Sequence, residues 1–447
     1  MKKFKEFLNI NEASRIYDKT VSPFHVSTHL PTKDKDGNPI NPHKLTGDKS
    51  ISIGDRIISG DEAISLQKHL TRTENPYPNT NPNMRAIKDP HEFVSEYGQH
   101  MKRNLQWANH RAQNNVEGYK RSLDWYHSAH AFAHKLSKRF EIPHHMMTAV
   151  IATQSPQREW NQNASLAERI CKIHKYHQAT AWSPEMDKIS SKIFKSDDAE
   201  HQSLLSDIRG KSLGDLTDSM HKAGWIRAYD EAHHARHHRE VGPEGHFGLH
   251  MMNADGKKRT ATSWGHFGTI EKAVKILESD GDMEIISRSL GNGFKVRSFF
   301  NNLLQPNSPR RDVTNDTHAA GVLAGRTVGS TDPFPNLIMR RPAMYTTSVH
   351  ATNSVADETG VTGAALQAAV WKQQQNISNL PDHVHKEVEM NWDRFRLGEI
   401  GQEEVHANID RLYAKHPFSH RHDLRTDPNI VSTFESVKHR QTFKDFL

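Results

Sequence analysis

An amine and a carboxylate stand in the second half of the chain at points where helices are predicted to begin. Lys295 lies in the first turn of a predicted helix, directly after Gly291-Asn292-Gly293, and Asp316 precedes the next helical stretch. An amine can act as a nucleophile or hold a phosphate, and a carboxylate can stabilise a positive charge that develops during a reaction. We therefore expect one amine and one carboxylate to lie beside the same glycine turn.

Short helices are predicted on both sides of this turn. Residues 283–290 have a helical pattern, and Asp282 is placed to cap their amino end. The glycines can adopt positive φ and let backbone N–H groups approach a phosphate closely. Because a Gly-x-Gly pair is common in ordinary turns, Lys295 and Asp316 are what distinguish this one. The second helix has apolar residues at amphipathic spacing, namely Val296, Phe299, Phe300, Leu303 and Leu304.

The order Gly291-x-Gly293-x-Lys295, followed by Asp316-Thr317-His318, resembles the hairpin, catalytic lysine and catalytic aspartate of the helix-hairpin-helix DNA glycosylases of the endonuclease III type. Residues 148–155 are similar to that family's early helix, whose glutamine, here Gln154, fills the hole left by a flipped base. From its position alone, Gln154 could instead satisfy buried backbone groups at a helix break. The resemblance implies double-stranded DNA as the partner, Lys295 and Asp316 as catalytic residues, and DNA contacts from Gln154, Gly291, Asn292, Gly293, Arg297 and His318.

The reaction that the resemblance implies is the excision of a base from DNA. Cutting an N-glycosidic bond develops positive charge on the deoxyribose, which the Asp316 carboxylate would stabilise. Lys295 would add a second route, in which its amine attacks the sugar C1′ and forms a Schiff base that permits strand cleavage. Three classes stay open: a DNA glycosylase with or without lyase activity, a base-modifying enzyme on the same fold, and a non-catalytic DNA-binding protein in which Lys295 contacts a phosphate.

Composition narrows the remaining possibilities. The 447 residues carry a formal net charge of +6, which fits a polyanionic partner although the excess is mild for a 51.0 kDa chain. The single cysteine, Cys171, excludes disulfides within the chain and the four-cysteine cluster that many endonuclease III relatives carry. We expect no cofactor and no metal. The sequence has no apolar run long enough to span a bilayer, so a membrane partner is not expected.

The first residues have the composition of a processed leader. Residues 1–13 are rich in Lys and Phe, and the triplet Ile10-Asn11-Glu12 precedes Ala13. This segment resembles the capsid-targeting propeptides of T4-like phage internal head proteins, which the prohead protease cuts after such a triplet. The resemblance implies cleavage between Glu12 and Ala13, the prohead protease as a partner, and a location in the capsid interior and then in the host cytoplasm after DNA delivery. An ordinary amino-terminal helix is the alternative.

The pattern along the chain predicts a mainly α protein, and the resemblance implies a helix-hairpin-helix glycosylase-like core. A metal site is not predicted, because the i, i+4 histidine pairs within 233–238 lack a third ligand and a basic, solvated helix explains them. The expected divisions are a propeptide at 1–12, an extended polar arm at 13–88, the helical core at 89–330 with an inserted polar segment at about 175–262, and a carboxy-terminal helical region with a basic tail at 331–447.

Overall fold

The computed structural model describes residues 17–26, 28, 50–53, 56–59, 94–105 except 96 and 103, 116–234, 239–242, 245–251, 257, 264–325, 328, 333–340, 342–378 and 382–415. Within these ranges the chain is mainly α-helical, which confirms the predicted class. The strands form two antiparallel pairs, β1 (Ser50–Ile53) with β2 (Arg56–Ser59) and β3 (Arg239–Val241) with β4 (Phe247–His250). None of the described helices is both long and apolar enough to cross a membrane.

The described helices are numbered in chain order from residue 116. The first eight are α1 (Val116–Leu123), α2 (Trp125–Phe140), α3 (His144–Thr153), α4 (Trp160–Tyr176), α5 (Pro184–Ile193), α6 (Ala199–Ile208), α7 (Ser219–His233) and α8 (Phe267–Leu277). The others are α9 (Met283–Leu290), α10 (Phe294–Leu304), α11 (Thr317–Ala324), α12 (Pro333–Arg340), α13 (Pro342–Thr359), α14 (Gly363–Ser378), α15 (Asp382–Arg396) and α16 (Gln402–Lys415).

Helix α3 lies at the centre of the fold. Its residues from Met146 to Thr153 are all buried, as expected for a helix without a polar face. It packs against α2, α8, α9 and α10. The predicted break before it is present, since α2 ends at Glu141 with left-handed backbone (φ 55°) and Pro143 caps the start of α3. Helices α2, α8, α9 and α10 are therefore arranged around a buried apolar helix.

Buried apolar side chains form two main clusters, which α14 joins. The first cluster is built from α2 to α10, and the second from helical residues between 94 and 105 together with α11 to α14. Ala364 and Ala368 of α14 belong to the first cluster, whereas Leu366 and Ala369 belong to the second. A third, smaller cluster joins α15 to α16. Helix α14 therefore packs against both main clusters and links them.

The described helices of the predicted inserted segment, residues 175–262, pack against the core. Helix α7 packs against α8, and its Trp225 is fully buried in the first cluster. The Trp225 indole donates a hydrogen bond to Lys211 O (3.1 Å). Helices α5 and α6 look polar because their apolar side chains are interspersed among polar and charged ones, yet the buried ones share one face of each helix.

A boundary at residue 330 does not coincide with a division in packing. Helices α12 to α14 follow that position, and all three contribute to the second cluster together with α11. The second cluster therefore needs residues from both sides of the predicted boundary.

One described part of the predicted arm, residues 17–26 and 28, lies against the core. Val26 is buried, and its backbone exchanges hydrogen bonds with the Asn301 side chain of α10 (3.0 and 2.9 Å). His25 Nε2 lies 2.6 Å from Asp312 Oδ2, and the Phe24 ring stacks on His145. This segment therefore covers α10 and the loop that follows it.

Three histidine rings meet where α2 approaches the start of α3. His144 lies 4.7 Å from His130 and 4.8 Å from His134 between ring centroids. Burial, followed by the charges of His130 and His134, lowers the pKa of His144 from its usual 6.5 to about 3. Burial also lowers the pKa of His130, whose Nδ1 lies 2.8 Å from Leu303 O. The folded protein therefore keeps the His130 and His144 rings neutral at pH values where an unfolded chain would protonate them.

We expect the free energy of unfolding to fall as the pH drops from about 6.5 towards 3, the window between the unfolded and folded pKa of His144. In this window the unfolded state binds the extra proton, so each such histidine removes up to about 1.4 kcal/mol per pH unit. Urea denaturation between pH 8 and pH 4 measures the slope, and His144→Gln should make it shallower. The matched control is His266→Gln at an exposed position. An unchanged slope in His144→Gln would contradict the assignment.

Candidate active site

The glycine turn joins two helices as the sequence predicts. Asp282 caps α9, its side chain accepting hydrogen bonds from the backbone N–H groups of Glu284 (2.7 Å) and Ile285 (3.4 Å). Gly291 ends α9 with φ of 73°, a conformation that residues with a Cβ adopt rarely. Gly293 then caps α10 in extended conformation. The turn is therefore three residues long and requires glycine at its first position.

Arg297 holds this turn from inside. Its side chain donates to the carbonyl oxygens of Ser287 (2.7 Å) and Gly291 (3.1 Å) and to Ser287 Oγ (2.7 Å). Arg297 is 1% exposed, and burial lowers the pKa of its guanidinium to about 10. The predicted DNA contact of Arg297 is therefore corrected: its guanidinium is inside the hairpin, where it satisfies carbonyl groups at the end of α9.

The outer side of the turn is open to solvent. Asn292 and Gly293 are exposed, and Gly291 is half-buried. The Gly291 N–H donates to Arg288 O (2.9 Å), which leaves the amides of Asn292 and Gly293 at the exposed tip. An exposed backbone turn at the start of a helix can accept a phosphate. Asn292 and Gly293 are therefore accessible at the surface of the turn.

Asp316 is fixed by two hydrogen bonds to different parts of the chain. One oxygen accepts from Ala319 N (2.9 Å) as the cap of α11, and the other accepts from the Trp371 indole of α14 (3.0 Å). Hydrogen bonds to an ionised acceptor are stronger than those between neutral groups. The carboxylate is therefore oriented by the packing of α11 against α14.

The segment before Asp316 is anchored to α10 and α13. Asp312 accepts hydrogen bonds from Asn301 Nδ2 at its side chain (3.0 Å) and from Asn302 Nδ2 at its backbone carbonyl (3.0 Å). Tyr345 donates its hydroxyl proton to Val313 O (2.8 Å) and stacks on Phe294, the residue before Lys295. These contacts fix the position of Asp316 relative to the helix that carries Lys295.

Lys295 and Asp316 line one pocket, which lies between the first and second clusters. The pocket encloses about 510 Å³ of empty space, a value that includes its mouth. Lys295 is half-buried, and among the described residues none is hydrogen-bonded or ion-paired to its amine. The amine and the carboxylate therefore face the same space without neutralising each other. The residues that line it are Trp125, Tyr126, Ser155, Arg158, Trp160, Asn163, Lys295, Phe299, Thr314, Asp316, Gln367, Ala368 and Trp371.

Aromatic rings form most of the apolar wall. The Trp125 ring lies 5.2 Å from Trp160, 6.2 Å from Phe299 and 6.3 Å from Trp371, measured between centroids. Tyr126 lies beneath them and donates its hydroxyl proton to Gln367 Oε1 (2.9 Å), and burial raises the pKa of that hydroxyl strongly. Flat aromatic faces next to two cations, Lys295 and Arg158, and one anion, Asp316, suit a planar heterocycle attached to a sugar.

Gln154 lies outside this pocket. It is fully buried and donates from Nε2 to Thr269 O (2.8 Å), next to the lining residues Ser155 and Arg158. In this position it satisfies a backbone carbonyl, so the prediction that it projects into a DNA cleft does not agree with the structure. Arg158 donates in turn to Gln154 O (3.1 Å), and burial lowers the pKa of its guanidinium. The pocket is thus lined by residues that follow α3, Ser155 and Arg158, and not by Gln154.

Of the other predicted site residues, His318 lies near the pocket, whereas Glu12 and Ala13 are not described. The His318 ring lies 5.9 Å from Trp371, at the edge of the pocket wall. Glu12 and Ala13 lie outside the described residues. Within the part of the chain that the structure describes, no group of three His, Cys, Asp or Glu side chains is placed to hold a metal ion.

The sequence interpretation missed the aromatic wall. Trp125 and Trp160 each occupy the first position of a helix, and an acidic residue precedes each of them. Tryptophan at the start of a helix, where one face is open, was the available signal. Trp371 gave no such signal because it lies within α14 at the spacing of a core residue.

The chain belongs to a family of unknown function, DUF7178, whose model matches residues 90–207 and 241–376. All the residues that line the pocket fall within these two matched ranges. No curated protein and no solved structure matches the sequence.

Replacing Arg297 tests its structural role. Arg297→Met leaves the carbonyl groups of Ser287 and Gly291 without their donor, so we expect the free energy of unfolding to fall by about 1–3 kcal/mol in urea denaturation. The matched control, Arg288→Met, changes an exposed arginine of the same hairpin and should alter stability little. Equal stability of the two variants would show that Arg297 does not hold the turn.

Proposed function

We propose that this protein is a DNA glycosylase with a helix-hairpin-helix core, which takes an extruded base into the pocket and cuts its N-glycosidic bond. The observation that carries the proposal is that Lys295 and Asp316, identified by sequence pattern, line the same aromatic pocket. Excision requires a base out of the stack, an anion near the sugar and a route for a nucleophile. The pocket offers groups for each of these needs.

The fixed carboxylate would act on the sugar. As the bond to the base breaks, the electron pair leaves with the base and positive charge grows on the deoxyribose. Asp316, oriented by Ala319 and Trp371, stabilises this charge without having to reorient, which is the most effective form of electrostatic catalysis. A water molecule then adds to C1′ and loses a proton, leaving an abasic site.

Lys295 would supply the alternative nucleophile. Its neutral amine attacks C1′, the base leaves with the bonding electrons and takes up a proton, and opening of the sugar ring gives a Schiff base between Nζ and C1′. Loss of a proton from C2′ then expels the 3′ phosphate and breaks the strand. The lack of an ion pair to Lys295 among the described residues supports this role. The exposed turn at Asn292 and Gly293 would hold the neighbouring phosphate.

The same turn supports a second candidate, a protein that binds DNA without cutting it. A lysine in the first turn of α10, beside exposed amides, can also hold a phosphate as a point charge. A base-modifying enzyme would use the aromatic pocket but no covalent lysine intermediate.

Borohydride trapping separates these functions. We expect the full chain, incubated with duplex DNA from phage and host, to form a covalent adduct that Lys295→Ala abolishes. Lys272→Ala is the matched control, because the amine of Lys272 lies beside Gly291 and outside the pocket lining. Asp316→Asn should lower base release by on the order of 10²–10³-fold, whereas Asp282→Asn at the cap of α9 should not.

Abasic sites without an adduct, lost in Asp316→Asn, would support a hydrolytic glycosylase in which Lys295 only assists. The absence of both adducts and abasic sites on either DNA, with folded wild-type protein, would refute the glycosylase proposal. DNA binding retained in that case would favour the non-catalytic candidate.

The hydrogen bond from Trp371 gives a finer test. Trp371→Phe keeps an aromatic ring but removes the donor to Asp316, so the carboxylate can turn away from the sugar. We expect the single-turnover rate of base release to fall about 10–100-fold, the equivalent of one hydrogen bond to a charged group, while DNA affinity changes little. A loss of affinity at an unchanged rate would place Trp371 in substrate binding and not in positioning Asp316.

We also propose that the protein is packaged in a phage head after removal of residues 1–12. The sequence triplet at Glu12 supports this, and similar triplets at Glu168 and Glu278 lie within or at the end of the folded helices α4 and α8. A further triplet, Leu397-Gly398-Glu399, lies in an exposed turn after α15. Digestion of the full chain with prohead protease should therefore remove residues 1–12 and leave products that start at Ala13, whether or not the chain is also cut after Glu399, as measured by amino-terminal sequencing and intact mass. Glu12→Ala should prevent it. Cleavage after Glu168 in the folded protein would contradict the shielding of α4.

A further inference from the structure

Two polar atoms in the wall of the pocket are buried without a partner. Ser155 is 5% exposed and Asn163 is 2% exposed, and both line the pocket. Ser155 Oγ and Asn163 Oδ1 have no hydrogen-bond partner among the residues that the structure describes. Burying an unpaired acceptor is unfavourable, so such atoms in a native fold call for an explanation. Their position in a pocket points to a ligand that supplies the missing donors.

The aromatic row separates these atoms from the catalytic pair. Asp316 is bonded to Trp371, the Trp371 ring neighbours Trp125, and the Trp125 ring neighbours Trp160. Asn163 follows Trp160 by three positions on α4, so the two side chains share one face of that helix. A path along the wall from the carboxylate to Asn163 therefore passes three rings. A nucleotide with its sugar at Asp316 would extend its base along this wall and bring the outer edge to Asn163.

We propose that Asn163 and Ser155 form the base-recognition site, and that it selects a base with an exocyclic amino group. An amino group carries two N–H donors, which can satisfy both unpartnered oxygens. The Ser155 hydroxyl can accept or donate, so the selection depends on Asn163 Oδ1, which can only accept: a base carbonyl in that place would face it without a proton. Adenine, cytosine and guanine carry such a group; thymine and uracil do not. This inference rests on the proposed function for the sugar's position, but base binding can be measured without catalysis.

Two kinds of variant separate recognition from folding. Asn163→Leu removes the acceptor, whereas Asn163→Asp keeps acceptor oxygens at the same position. Ser155→Ala removes the second acceptor. Circular dichroism and thermal melting of each variant establish that it is folded before binding is compared.

Quenching of tryptophan fluorescence, from Trp125, Trp160 and Trp371 in the wall, reports nucleoside binding. The probes are the four deoxynucleosides, together with purine and 2-pyrimidinone deoxynucleosides, which lack the exocyclic amine of adenine and cytosine. We expect wild type to bind at least one amine-bearing nucleoside about tenfold or more tightly than its amine-free analogue. Asn163→Leu should bind the pair equally, and Asn163→Asp should keep the preference.

Equal binding of each pair by wild type, no quenching by any nucleoside, or a preference that survives in Asn163→Leu would each overturn the inference. A second experiment tests the proposed function separately from base recognition. It measures Schiff-base trapping on duplex DNA with preformed abasic sites, a reaction that needs Lys295 but no base. Trapping retained in Asn163→Leu together with a lost amine preference supports both proposals. A lost preference without trapping in wild type supports recognition alone and counts against the lyase reaction.

Discussion

The hydrogen bond between the Trp371 indole and the Asp316 carboxylate holds together the two sides of the pocket. Asp316 begins α11, and Trp371 lies on α14, which packs into both main clusters. With its other oxygen on Ala319 N, the carboxylate has a single orientation. If α14 were displaced, the anion would lose its direction and the aromatic row would lose one ring. The chemistry proposed for the site therefore depends on helix packing some distance from it.

The two opposite charges of Lys295 and Asp316 both remain available to a ligand in the pocket. Lys295 and Asp316 face one pocket without forming an ion pair, although opposite charges in a partly buried space attract. They stay apart because Asp316 is held by α11 and α14, and because Asp312, Asn301 and Asn302 fix the loop before it against α10. The fold thus prevents the Lys295 amine and the Asp316 carboxylate from forming an ion pair with each other.

Local features of the site could be predicted from sequence, whereas features that depend on tertiary packing could not. The cap at Asp282, the turn at Gly291 and the start of α11 at Asp316 depend on neighbouring residues alone. The direction of a side chain on a helix depends on what packs against that helix. This is why Gln154 and Arg297 were assigned to DNA from their proximity to the motifs, although both turn inwards to bond with backbone carbonyl groups. The aromatic wall comes from four helices that are distant in sequence, α2, α4, α10 and α14, so no spacing in the sequence marks it.

The order in which the wall residues occur has a consequence for synthesis of the protein. The pocket takes its first residue at Trp125 and its last at Trp371, so it is incomplete until α14 has left the ribosome and packed. A chain that stops earlier would retain Lys295 and Asp316 but would lack one wall and the donor that orients the carboxylate. An unfinished polypeptide thus carries both groups of the proposed reaction without the complete site in which they would act.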